Sequence, residues 1–130
     1  WAATEPAAEN QALNIVNGDI FRWRRMWTII GNDLGVEPAP YPGEPTPLTE
    51  QMKDARPIWD GIVEKYQLQP HSIETLASWW HSDADLGRRI ETFTDMSKSR
   101  RLGFLDYQET SNSFLNLFDR LRRERIIPPR

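Results

Sequence analysis

Two adjacent tryptophans, Trp79 and Trp80, constrain the fold of this chain more than any other feature. Neighbouring residues on a helix or a strand point in different directions, so the two indoles must serve different surfaces. We expect one surface to be the core. The next residue, His81, has two interpretations: an interfacial histidine hydrogen-bonded to backbone, or a pocket-lining group that exchanges hydrogen bonds near neutral pH with Trp80 as an apolar wall.

Helical periodicity dominates the rest of the chain. Trp23, Trp27, Ile30 and Leu34 recur at spacings of four, three and four residues, which predicts a helix that ends at Gly35. Caps and apolar faces predict further helices within residues 48–53, 57–66, 73–80 and 96–102, and from about residue 111 to the prolines near the end. The predicted fold class is mainly α.

Two or three short strands complete the predicted fold, one from the short apolar run at residues 13–16 and one from a weak alternation at residues 90–94. Five prolines within residues 38–47 predict an extended loop between helices. Residues 1–12 are alanine-rich and contain Pro6, which favours a frayed helix end or a linker. Residues 13–130 are predicted to form a single domain.

Composition argues against several classes of partner. The net charge of -3 disfavours generic nucleic-acid binding, and no apolar run approaches the roughly 20 residues that span a bilayer. The chain has no cysteine, which suits a cytoplasmic protein. Two histidines ten residues apart, without cysteine, do not form a metal-ligand pattern. We therefore predict no nucleic-acid, membrane or metal site.

The sequence also lacks the usual catalytic motifs. It contains no Gly-x-Gly dinucleotide loop, no Gly-x-Ser-x-Gly nucleophile elbow and no Tyr-x-x-x-Lys pair. Asp83 and Asp85 diverge by about 200° on a helix, so helix capping or solvation explains them better than a shared substrate. The arginines within residues 120–125 are interpreted as offsetting a helix dipole rather than as an anion site.

Three motifs carry a specific resemblance. Asn-Gly-Asp-x-Phe-x-Trp spans residues 17–23, the tryptophan pair occupies 79–80, and Lys-x-x-x-Leu-Gly-Phe spans residues 98–104. From about Asn10 to its end, the chain resembles one branch of the extended short-chain dehydrogenase/reductases. That branch contains plant progesterone 5-beta-reductases, iridoid synthases and bacterial relatives.

The resemblance implies a place within a longer enzyme. The chain is similar to the C-terminal, mostly helical substrate domain, while an upstream Rossmann domain would bind NADPH or NADH and carry the catalytic tyrosine and lysine. The implied reaction is reduction of an enone or an activated carbonyl. No catalytic or cofactor-binding residue is assigned in this chain, which begins at Trp1 without a methionine and is expected to be a piece of a longer protein.

The same resemblance assigns Trp79, Trp80 and His81 as substrate-lining residues. Plant members of the branch usually have phenylalanine where this chain has His81, which implies a smaller or more polar substrate than a steroid. An exposed apolar face is expected where the Rossmann domain would pack. Two alternatives stay open: a stand-alone helical protein-interaction module without catalysis, and a degenerate family member that uses its pocket only for binding.

Overall fold

The computed structural model describes residues 1–130 and is mainly helical, which confirms the predicted fold class. A 3-10 helix, Pro6–Ala8, precedes seven α-helices: α1 Trp23–Leu34, α2 Leu48–Gln51, α3 Ala55–Tyr66, α4 Ile73–Leu76, α5 Trp79–Leu86, α6 Ser97–Arg101 and α7 Thr110–Arg123. Packing joins α1 to α7, α2 to α5, and α3 to α4. Before the 3-10 helix, the Trp1 ring packs on Phe104 with centroids 5.3 Å apart.

The structure confirms the first long helix that was predicted, but the residues that this helix buries differ from the predicted tryptophan stripe. Gly35 ends α1 in the left-handed conformation at φ 68°, where its N–H bonds carbonyls of the last turn. Met26 and Ile30 are buried on the side that faces the core. Trp23 and Trp27 stack on each other and keep 39% and 43% of their surface exposed. The predicted tryptophan stripe is therefore the margin of the core rather than its centre.

The helix predicted over residues 73–80 is in fact two helices, so that prediction is wrong in its extent. Ser72 caps α4 by accepting a hydrogen bond from the Thr75 backbone N–H, as predicted. Ala77 and Ser78 are then extended, and α5 begins at Trp79.

A capping contact from α5 accompanies this break. The Asp83 carboxylate accepts hydrogen bonds from the backbone N–H groups of Leu48 and Thr49 at 2.6 and 3.1 Å. Asp83 therefore caps the start of α2, which confirms the capping interpretation. These backbone hydrogen bonds lower the pKa of the Asp83 carboxyl.

Neither predicted strand forms. Near residues 13–16, side-chain hydrogen bonds to α6 and the residues before it stand in place of strand pairing: the Asn14 side chain donates to the Asp95 carbonyl, and the Ser99 hydroxyl donates to the Asn14 carbonyl, both at 2.9 Å. The β pairing is limited to one parallel bridge between Gly18 and Gln108. A strand needs a partner for its backbone groups, and here a side chain of α6 binds the Asn14 carbonyl instead.

A buried ion pair joins α1 to α7. Arg122 lies 2.7 Å from Asp33, and their side chains are only 11% and 5% exposed. Burial raises the pKa of Asp33, but hydrogen bonds and charges from Arg122 and Arg130 outweigh it and hold that pKa below its usual range. The prediction for the arginine cluster is thus wrong for Arg122, whose partner is a carboxylate 89 residues away in sequence.

Candidate functional site

A groove of about 790 Å³ runs between two segments that have no helix or strand across most of their length. We call residues 16–23 the inner wall and residues 88–94 the outer wall. The lining residues are Val16, Asn17, Asp19, Ile20, Phe21, Arg22, Trp23, Asp85, Leu86, Arg88, Ile90, Glu91, Thr92, Phe93, Thr94 and Thr110. The volume lies within the range of small-molecule sites, roughly 300 to 1,000 Å³.

Asn17 fixes the inner wall to the start of α7. Its side-chain amide donates to the hydroxyl oxygens of Thr110 and Ser113 at 3.2 and 3.1 Å. Its backbone carbonyl accepts from the Gln108 N–H at 2.9 Å. The side chain and main chain of Asn17 are therefore both held by one six-residue stretch, residues 108–113.

Position 18 requires glycine, because side chains from other parts of the chain lie close to its backbone. Its φ is +97°, and a Cβ there would lie 2.7 Å from an Arg100 guanidinium nitrogen and 3.2 Å from the Tyr107 ring. Any side chain would meet both a strained backbone conformation and these contacts. The Asn-Gly-Asp motif is thus a docking element for α7, and not only the turn that its sequence predicts.

Asp19 completes this attachment. Its carboxylate accepts hydrogen bonds from the Thr110 backbone N–H and hydroxyl. Burial raises the pKa of Asp19, but these hydrogen bonds outweigh it, so the pKa lies below its ordinary value of 3.8. The carboxylate is therefore charged at neutral pH and engaged in capping α7.

The outer wall is attached much more lightly. All of its residues are exposed, and it contains no helix or strand. An exposed ion pair between Arg22 and Glu91 links it to the inner wall. A second exposed pair, Arg88 with Asp85 at 2.5 Å, links it to α5. Exposed pairs contribute little stability, so the outer wall is held less firmly than the inner wall.

Apolar side chains on both walls face solvent. Ile20 and Ile90 are each 77% exposed, and Phe93 is 59% exposed. Large exposed apolar side chains gathered in one concave region are typical of a surface that binds a ligand or another domain. The groove therefore combines exposed apolar side chains with two ion pairs, Arg22 with Glu91 and Arg88 with Asp85.

The predicted site residues lie on α5 but outside this groove lining. Trp79 is half-buried and Trp80 is 69% exposed, so the two indoles do serve different surfaces. His81 is exposed, with its ring 5.4 Å from the Trp80 ring and its Nε2 3.3 Å from the Asp85 carboxylate. Because Asp85 also lines the groove, α5 connects His81 to it. The substrate-lining role of these three residues stays a prediction.

Sequence reasoning missed the groove residues Phe21, Ile90 and Phe93, and the Arg22–Glu91 pair. The weak apolar alternation over residues 90–94 could have indicated apolar side chains on a binding surface. By its period, however, it predicts a strand. The partnership of Arg22 and Glu91, 69 residues apart, leaves no trace in local pattern.

Two further observations concern other kinds of site. The histidine, aspartate and glutamate side chains form no group of three able to hold a metal ion. Each helix is too short or too polar to cross a bilayer.

Comparison with known proteins agrees with the motif resemblance. No protein-family model matches the chain. The chain is 39% identical over 129 residues to (S)-8-oxocitronellyl enol synthase of Antirrhinum majus. It is 37% identical over 130 residues to (S)-8-oxocitronellyl enol synthase CYC2 of Camptotheca acuminata. It is 36% identical over 130 residues to 3-oxo-Delta(4,5)-steroid 5-beta-reductase of Arabidopsis thaliana.

Each of these alignments covers 98% of this chain and 33% of the relative. The chain thus spans about one third of the length of the curated relatives it matches. Similarity at this level over nearly every residue reflects common descent rather than a shared motif. The chain is therefore homologous to enzymes of the iridoid synthase and steroid 5-beta-reductase branch, as its motifs predict.

Proposed function

We propose that this chain is the substrate-binding portion of an NAD(P)H-dependent reductase that acts on enones or activated carbonyls. One observation carries the proposal: 36–39% identity over nearly the whole chain to enzymes named for enol synthesis and for 5-beta-reduction of a steroid. The position of the chain at the C-terminal end of such an enzyme is part of the proposal.

The groove and the start of α5 supply the binding surfaces. Apolar groups such as Phe21, Ile90 and Phe93 would hold the carbon skeleton and exclude water from the reacting atoms. Trp80 and His81 lie outside the groove lining and would contact the substrate from the start of α5. Orientation of this kind contributes to rate because the reacting atoms are held in position before the reaction.

The nicotinamide cofactor does not fit the residues of this chain. A pyrophosphate cradle needs glycines immediately before a helix. Here the glycines with positive φ are Gly18, Gly35, Gly43 and Gly103, and none of them directly precedes a helix. We therefore propose that NADPH or NADH, which supplies the hydride, and the catalytic tyrosine and lysine belong to an upstream Rossmann domain.

Cofactor titration tests whether the cofactor site lies outside this chain. The 130-residue chain and the longest reading frame that contains it are each titrated with NADPH, and nucleotide fluorescence is followed. We expect saturable binding only by the longer protein, together with NADPH oxidation when enones are added. Tight saturable binding by the 130-residue chain would sink the assignment to the substrate-binding portion.

Replacement of His81 tests the pocket residues. We expect His81→Phe in the longer protein to lower KM for bulky apolar enones and to raise it for small polar ones, because a hydrogen-bonding group is exchanged for apolar area. His71→Phe is the control, since the His71 side chain contacts Gln69. Unchanged kinetics across the enone panel for His81→Phe would contradict the pocket role.

A stand-alone interaction module is the second candidate, and the exposed Ile20, Ile90 and Leu105 side chains favour it. The upstream reading frame discriminates between the two. A strand followed by Gly-x-x-Gly-x-x-Gly, with a later Tyr-x-x-x-Lys, supports the reductase. A start codon close to the codon of Trp1 supports the module.

A further inference from the structure

The pair Asn17–Gly18 has chemistry that its docking on α7 does not use. It is the one asparagine-glycine pair in the chain. Glycine has no side chain to hinder attack by its own backbone nitrogen on the side-chain carbonyl carbon of the preceding asparagine. We propose that Asn17 is a site of spontaneous deamidation, and that docking of the inner wall on α7 sets the rate of the reaction.

The reaction needs only water as a co-reactant. The deprotonated Gly18 backbone nitrogen forms a bond to Cγ of Asn17, and the Cγ–Nδ2 bond breaks as ammonia leaves with the proton. Water then opens the cyclic imide at either carbonyl, which yields aspartate or isoaspartate at position 17. No oxidation or reduction occurs.

The docked structure opposes the first step. Nδ2 of Asn17 donates to the hydroxyl oxygens of Thr110 and Ser113, and these two hydrogen bonds restrain rotation of the side chain toward the Gly18 nitrogen. The bond from the Gln108 N–H to the Asn17 carbonyl also holds the peptide that joins the two residues. Attack therefore requires that the inner wall first separates from α7, and the reaction proceeds from that open state.

Deamidation weakens the docking on α7. A carboxylate at position 17 cannot donate to the hydroxyl oxygens of Thr110 and Ser113, and it can accept from these hydroxyls only if they give up their present acceptors, Asp19 and the Glu109 carbonyl. It also adds a negative charge beside the Asp19 carboxylate, which already uses the Thr110 hydroxyl and N–H. Isoaspartate inserts an additional backbone carbon and shifts the bridge between Gly18 and Gln108. The product therefore holds this wall of the groove less firmly, and the change is irreversible because ammonia is lost.

Peptide mapping by mass spectrometry of the folded 130-residue chain, incubated at mildly alkaline pH, tests this directly. Conversion of Asn17 is followed over time, with Asn32 and Asn116 as internal references within helices. Ser113→Ala removes one of the two acceptors. Thr49→Val is the matched control, because it removes a hydroxyl contact to Asp83 far from the inner wall in sequence. Circular dichroism verifies that each variant is folded.

We expect Ser113→Ala to deamidate at Asn17 about fivefold faster than the parent chain, which is the effect of one net hydrogen bond on the open population. Thr49→Val should match the parent, and urea-unfolded parent chain should react fastest. Equal rates in the parent chain and Ser113→Ala would overturn control by docking. Absence of conversion at Asn17 in the unfolded chain would overturn the site itself. Neither result depends on reductase activity.

Discussion

The Asp19 carboxylate lies 2.8 Å from the backbone nitrogen and 2.6 Å from the hydroxyl oxygen of Thr110, although 91 residues separate them in sequence. Glu109, the residue at the N-cap position of α7, makes no side-chain capping hydrogen bond. The first turn of α7 therefore depends on an acceptor from the inner wall of the groove. Through this contact, the longest helix and the candidate site are stabilised together.

Removal of that acceptor should destabilise the protein. We expect Asp19→Ala to lower the free energy of unfolding by about 1 kcal/mol, the usual effect of losing a helix cap. Urea unfolding followed by circular dichroism measures the change. Asp60→Ala is the control, because Asp60 is exposed on α3. Equal effects of the two substitutions would mean that capping by Asp19 contributes no stability.

The free energy of unfolding should also fall in acid, because two carboxyl groups have lowered pKa values in the folded protein. The pKa values of Asp19 and Asp33 lie below the ordinary value of 3.8 in the folded protein. Their contribution is thus present above the unfolded-state pKa and is lost as pH falls through the folded-state pKa. We expect the urea midpoint to drop below about pH 4. The drop should be smaller in Asp19→Asn, and an identical pH profile would count against the linkage.

The buried pair of Asp33 and Arg122 should be the most sensitive ionic contact. Asp33→Ala leaves the Arg122 guanidinium buried without its main partner, and we expect a loss of about 3–5 kcal/mol. Arg130 also contacts Asp33, but its side chain is 59% exposed. Arg130→Ala should therefore cost less than about 1 kcal/mol. A comparable loss for both variants in thermal unfolding would refute the dominance of the buried partner.

Two helical glycines should respond to alanine in opposite directions. A Cβ on Gly31 would lie 2.5 Å from Cγ of Pro38 and 2.7 Å from the Val36 carbonyl oxygen, whereas a Cβ on Gly61 would meet nothing within 4 Å. We expect Gly61→Ala to raise the free energy of unfolding by about 0.5–1 kcal/mol, and Gly31→Ala to lower it. Chemical unfolding of both variants in parallel is the measurement. Stabilisation by Gly31→Ala would show that the loop at Pro38 yields readily.

The Arg22–Glu91 pair should govern the motion of the outer wall and have little effect on global stability. Both side chains are more than half exposed. We expect Arg22→Gln to change the free energy of unfolding by less than about 1 kcal/mol. It should nevertheless speed tryptic cleavage after Arg88 and Arg89 in the outer wall, because the segment loses its link to the inner wall. Arg24→Gln is the control, and an unaltered cleavage rate in Arg22→Gln would contradict the linkage between the walls.

Local sequence pattern correctly predicted those features that depend only on residues close together in the chain. The periodicity from Trp23 to Leu34, the glycine stop at position 35 and the cap at Ser72 are contacts within a few residues, and all of them are observed. The predicted strands failed because a strand is completed by a distant partner. Here, the Ser99 hydroxyl binds the Asn14 carbonyl instead, and residues 90–94 make no backbone–backbone hydrogen bond. The break between α4 and α5 likewise coincides with a remote contact, the capping of α2 by Asp83.

The sequence by itself determined the mainly helical class, the ends of the long helices and the homology to a reductase branch, because these follow from local periodicity and from shared motifs. The tertiary structure alone decided the rest. It paired Asp33 with Arg122, assigned Asp19 to the cap of α7, and brought two loops together as the walls of a groove. Contacts across tens of residues depend on how helices pack, and a local pattern does not encode that geometry.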